Sequence, residues 1–115
     1  MLWSLFGRGE RSNSLEIDVA RVAGDRTTKG LQIIDVREPD EWQSGHIPGA
    51  IHIPLGELGA RFAEIDPERA IVTICRSGRR SLSAAKQLHK AGFGDVKSLA
   101  GGMLAWQRST QPVER

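Results

Sequence analysis

The strongest constraint on this chain is an alternation. Short apolar runs typical of buried strands are separated by segments in which apolar residues recur at helical spacing. Residues 31–36 (LQIIDV) and 70–74 (AIVTI) form the two clearest strands, and the second is almost continuously apolar, as expected of a strand covered on both faces. Residues 15–17, 96–99 and 50–53, the last fenced by Pro48 and Pro54, supply shorter ones. Asp18 is placed to cap a short helix carrying Val19, Val22 and Ala23 on one side. Residues 39–43 read as one helical turn. Leu55, Leu58, Phe62 and Ile65 predict a helix burying one stripe, and Pro67 stops it. Leu82, Ala85 and Leu88 predict another over 79–91, with Gly92 in the left-handed position after it and Phe93 folding back on Leu88. Gly101-Gly102 open a last short helix holding Met103 and Trp106. Strands alternating with helices in this way predict an α/β fold, a parallel sheet with helices on both faces.

At 115 residues the chain has the length of one domain. Residues 1–14, polar and Gly/Ser-rich from 7 onward, read as a flexible arm, 15–108 as the domain, and 109–115 as a fraying tail. Trp3, Leu5 and Phe6 give the arm a small apolar cluster beside Arg8 and Arg11. No apolar stretch approaches the ~20 residues of a spanning helix. The opening apolar residues are too few for a secretory signal, and a lone thiol suits a reducing compartment, so the expected location is cytoplasmic. A net charge of +2 is too weak to argue for nucleic acid. The single cysteine excludes an internal disulfide, and the three histidines lack metal-ligand spacing, so neither metal nor cofactor is expected.

Parallel α/β sheets place ligands at the carboxyl ends of their strands. Here the strand 70–74 runs straight into Cys75-Arg76-Ser77-Gly78-Arg79-Arg80-Ser81. Gly78 permits a tight turn, whose successive N–H groups can form an anion-binding nest. The positive end of the next helix and the three arginines strengthen that field. A free thiol, with a pKa near ~8.5, is mostly protonated at neutral pH; this surrounding favours the thiolate. A lone cysteine after a core strand is ordinarily a small buried hydrophobe. Three clustered guanidiniums have no place in that reading, so Cys75 is assigned as a nucleophile for anionic substrates.

Residues 31–54, LQIIDVREPDEWQSGHIPGAIHIP, resemble the first signature of rhodanese-like sulfurtransferase domains. The Cys75 loop followed by a helix, and Gly101-Gly102-Met103-Leu104-Ala105-Trp106, match the same pattern. The resemblance runs from about Leu15 to Trp106. It implies a five-stranded parallel sheet flanked by helices and a thiosulfate sulfurtransferase reaction through a Cys75 persulfide. The implied donor is a small sulfur anion such as thiosulfate. The implied acceptor is cyanide, a small thiol, a thioredoxin-like protein or a biosynthetic protein. Arg76, Ser77, Gly78, Arg79 and Arg80 would bind the donor, Arg80 having a structural alternative as the loop-closing arginine, bound to loop carbonyls or a carboxylate; Asp35 and Arg37 would lend support, Asp35 by pairing with a loop arginine.

Two other readings compete. Related phosphatases use Cys-x5-Arg, whereas here the arginine comes one position earlier, at Arg80, and Ser81 follows. The shorter loop ranks phosphate hydrolysis or arsenate reduction below sulfur transfer. A non-enzymatic interaction module on the same fold would need neither Cys75 nor its arginines. Glu38 and Glu41 read as a solvated turn, and His46 as a turn residue bonded to backbone. His52 reads as a strand-end residue and His89 as a surface one, with Trp42 and Trp106 at core edges. A one-domain protein is expected to leave the Cys75 loop open to a protein partner.

Overall fold

The apolar runs form β1 (Glu16–Ile17), β2 (Gln32–Asp35), β3 (Ile51–His52), β4 (Ile71–Ile74) and β5 (Val96–Leu99) in the computed structural model. It describes residues 14–28 and 30–115. The strands make one five-stranded, all-parallel sheet in the order β1-β5-β4-β2-β3. The helices are α1 (Val19–Asp25), α2 (Pro39–Gln43), α3 (Arg79–Lys90) and α4 (Gly102–Arg108). Asp18 caps α1 through a 2.8 Å bond accepted from the Arg21 N–H.

Strand alternation divides the core between the two faces of the sheet. Leu31, Ile33, Val72, Ile74 and Leu99 face α1 and α4, where they meet Val19, Val22, Met103 and Trp106. Ile34, Val36, Ile71, Cys75 and Val96 face the other way and meet Leu58, Ala84, Ala85 and Leu88. Phe93 folds back as expected, its N–H donating to the Leu88 carbonyl at 3.1 Å.

Two segments depart from expectation. Leu55–Glu64 is a 3-10 helix, interrupted at Arg61 (φ −123°, ψ 21°). Gly56 and Gly59 weaken an α-helix there, and spacings near three suit a 3.0-residue turn as well as an α-helical one. The tail does not fray. Glu114 and His46 exchange two backbone hydrogen bonds of 2.9 Å, and the Pro112 carbonyl accepts from Trp106 Nε1 at 2.7 Å. Trp106 is fully buried rather than at an edge, and its indole N–H needs a partner that the tail backbone provides. No apolar pattern signals the docking because main-chain groups make it. The arm expected over 1–14 lies outside the described residues except for Ser14. Among the described residues no helix is long and apolar enough to cross a membrane.

Candidate active site

β4, the middle strand of the sheet, delivers Cys75 to the carboxyl edge. The chain then turns, and Gly78 (φ 108°) leads into α3. α4 fixes the turn from behind. The first N–H groups of a helix lack intrahelical partners. Here Met103 N–H donates to the Cys75 carbonyl at 2.9 Å and Leu104 N–H to the Arg76 carbonyl at 3.1 Å. With those carbonyls held toward α4, loop N–H groups face the sulfur, and Gly78 N–H lies 3.1 Å from Sγ. This approach depends on Gly102 (φ 56°): a Cβ there would stand 2.5 Å from the Cys75 oxygen and 2.6 Å from that of Arg76.

Cys75 is 1% exposed, so its thiol is recessed, while Arg76, Ser77 and Arg79 of its loop face solvent as expected. Burial pushes the pKa of the thiol up. The Ser81 hydroxyl and the N–H groups of Ser81, Gly78 and Ser77 act the other way, and the balance is a lowered pKa. The Ser81 hydroxyl is itself 2.8 Å from the Ser98 hydroxyl, both fully buried, and Thr73 Oγ1 donates to the Ser81 carbonyl at 2.7 Å. Ser81 is thus a site residue that sequence reasoning treated only as a loop-length marker.

The three loop arginines separate into two kinds. Arg76 and Arg79 are exposed and make no ion pair among the described residues. Arg80 reaches across to α2 and grips Glu41 bidentately, at 2.7 and 2.8 Å. The turn is solvated as expected, with no buried residue in α2, but the Glu41 side chain is drawn out of solvent onto Arg80. The Glu41 side chain is 24% exposed, it also accepts the Glu38 N–H at 2.9 Å, and Arg80 lowers its pKa to about 2. Asp35, expected to hold a loop arginine, instead pairs with Arg37. Arg37 Nε donates to its two carboxylate oxygens at 3.0 and 3.1 Å and Nη2 donates at 2.8 Å. Asp35 sits at the end of β2 with Arg37 just beyond it, so the near neighbour satisfies the carboxylate before a loop arginine reaches it. Arg37 Nη2 also donates to the Gly45 carbonyl at 2.7 Å, tying the strand end to the turn carrying His46.

That turn carries an aromatic stack. Trp42 lies between His46, with centroids 3.5 Å apart, and His52, at 4.8 Å. His46 Nδ1 donates to the Trp42 carbonyl at 2.9 Å and His52 Nε2 to that of Arg37 at 2.8 Å, so both rings are orienting groups. His89, exposed on α3, bonds the Phe93 carbonyl.

The Asp35–Arg37 pair is buried, at 1% and 5% side-chain exposure. Removing one partner of such a pair strands the other. Arg37→Met is expected to lower stability by about 3–5 kcal/mol, measured by urea denaturation. A loss below about 1 kcal/mol would mean the pair behaves as a surface one.

The family model "Rhodanese-like domain" matches residues 18–109. The chain is 37% identical over 86 residues to the thiosulfate sulfurtransferase GlpE of Pseudomonas syringae, a match covering 75% of this chain and 80% of that protein. It is 43% identical over 98 residues to YrkF of Bacillus subtilis, covering 85% of this chain but only 51% of that longer protein. The crystal structure of a rhodanese-related protein from Thermoplasma volcanium superposes with a TM-score of 0.80 at 29% identity, over 86% of this chain and 96% of the other.

Proposed function

The chain belongs to the rhodanese-like family, and on that premise we propose that it is a sulfurtransferase working through a Cys75 persulfide, with a small sulfane-sulfur anion such as thiosulfate as donor. The observation that carries this reading is the recessed Cys75 sulfur facing the Gly78 N–H, with its pKa lowered by that group and its neighbours. In the first step the thiolate attacks the outer sulfur of thiosulfate. A new S–S bond forms to Cys75 as the bond to the sulfite sulfur breaks. Sulfite leaves with the electron pair, and Cys75 carries a persulfide anion. In the second step the acceptor attacks the outer persulfide sulfur, and the Cys75 thiolate leaves.

The same N–H groups serve both steps, since each charged state places an anion where they point. Arg76 and Arg79, exposed and unpaired among the described residues, draw the donor to the loop. The N–H groups of Ser77 and Gly78 hold charge at the sulfur. Arg80 contributes through Glu41 rather than by direct grip, and Asp35 with Arg37 braces the neighbouring strand end. The recessed sulfur selects a slender acceptor, either a small nucleophile such as cyanide or a thiol, or a protruding protein segment. With one turn residue fewer than a Cys-x5-Arg loop, the nest suits a sulfur atom better than a phosphoryl group.

Intact-mass measurement after incubation with thiosulfate tests the reading. The expected result is a gain of one sulfur atom per chain, removed by cyanide with release of thiocyanate. A chain that gains no sulfur from thiosulfate, a thiol donor or a low-molecular persulfide would overturn it.

A further inference from the structure

Glu41 is the one carboxylate paired with a loop arginine among the described residues, and it comes from outside the loop. Its orientation is doubly fixed: one oxygen accepts both the Glu38 N–H and Arg80 Nη1, while the other accepts Arg80 Nη2. Arg80 stands in the first turn of α3, close enough for the Cys75 anion to act on it. The guanidinium is nonetheless turned to α2. Of three cations on the loop, one is offset and two remain available.

We propose that Glu41 is a specificity-determining positioning residue: by holding the Arg80 guanidinium against α2, it keeps a third positive charge out of the anion nest and limits how strongly the loop binds its donor. The proposal rests on the reading that this loop receives an anion. Strong retention of the donor anion, or of the sulfite it releases, would slow turnover, because an anion bound equally well before and at the transition state gains nothing in rate. A loop tuned by an external carboxylate binds enough to orient the donor and still lets the product go.

The test uses charge neutralisation and needs no sulfur transfer. In Glu41→Gln the amide oxygen still accepts the Glu38 N–H, but the negative charge is gone. The midpoint of the pH profile for Cys75 alkylation by iodoacetamide is expected to fall. Protection of Cys75 by inorganic sulfate should tighten by a factor of about 3–10. Arg80→Gln leaves Glu41 unneutralised beside the loop, so the midpoint should rise and protection weaken. The double variant Glu41→Gln/Arg80→Gln should return both readouts to near the parent values.

A merely structural pair predicts something else: both single variants loosen the loop and move both readouts in the same direction, and the double variant does not recover. That pattern, or no movement in either single variant, overturns the proposal. If Glu41→Gln does not fold, the double variant decides against Arg80→Gln: a midpoint brought back toward the parent value supports the proposal, and one left as high or higher overturns it. Thiosulfate kinetics then separate this idea from the parent reading. A lower KM without a higher kcat is expected in Glu41→Gln. Absence of any turnover in the parent protein would count against sulfur transfer while leaving the alkylation result standing.

Discussion

Cys75→Ser is expected to fold like the parent and to transfer no sulfur. Serine is nearly isosteric, and its oxygen can accept the Gly78 N–H that now points at Sγ, so no buried donor is orphaned. The stability change should stay within about 1 kcal/mol in urea denaturation. The chemistry does not survive. A hydroxyl is far less acidic than a thiol, the groups that bond Cys75 among the described residues are hydroxyl and backbone N–H rather than a base, and a weak nucleophile needs one or the other. The chain has no second cysteine to substitute. In a thiosulfate:cyanide assay the expected loss reaches the uncatalysed background, and the mass shift disappears. Turnover retained in the variant would move the nucleophile elsewhere and refute the role assigned to Cys75.

Gly102→Ala is expected to damage both the fold and the site without touching an ionisable group. Its methyl would meet two carbonyl oxygens at 2.5 and 2.6 Å, and φ is 56°. A left-handed residue other than glycine costs roughly 1–2 kcal/mol, and overpacking against backbone adds roughly 1–3 kcal/mol. The relief available is to lift α4 off the loop, breaking the Met103 and Leu104 hydrogen bonds. The loop carbonyls would then be free to rotate and the N–H groups to leave the sulfur. Activity should therefore fall together with stability, and the alkylation midpoint of Cys75 should climb toward that of an ordinary thiol. Gly49→Ala is the control: φ is 84°, yet nothing lies within 4 Å of the added methyl. It should lose only the conformational part and keep its thiol chemistry. Equal effects in the two variants would mean that the close approach of α4 to the loop is not what shapes the site.

Local features were legible in the sequence because their causes are local. The apolar runs announced all five strands, and Asp18, Gly92 and the Gly101-Gly102 pair marked helix ends through backbone chemistry close in sequence. The resemblance over 31–54 and at the loop predicted the sheet that the structure displays. What escaped is long-range pairing. Glu41 and Arg80 are 39 residues apart, and no periodicity reports that α2 leans on the first turn of α3. The choice of Arg37 over a loop arginine as the partner of Asp35 likewise depends on where β2 ends. One clue was available for Glu41: a loop-closing arginine inside a domain demands an acceptor, and the capping-box spacing from Glu38 to Glu41 fixes that carboxylate's position. The tail escaped for a different reason, since main-chain hydrogen bonds leave no mark on side-chain pattern.

The pairing of β1 with β5 also bears on how the protein is made. Glu16 and Ile17 sit opposite Ser98 and Leu99, so the first strand of this sheet in chain order has the last as its partner. On a ribosome, Ile17 must wait without its partner while about 80 further residues emerge. Closing so long a loop costs little more than closing one half its length, but it cannot begin until β5 has been synthesised. The edge strand's small size, at two residues, leaves little sticky backbone exposed during that interval.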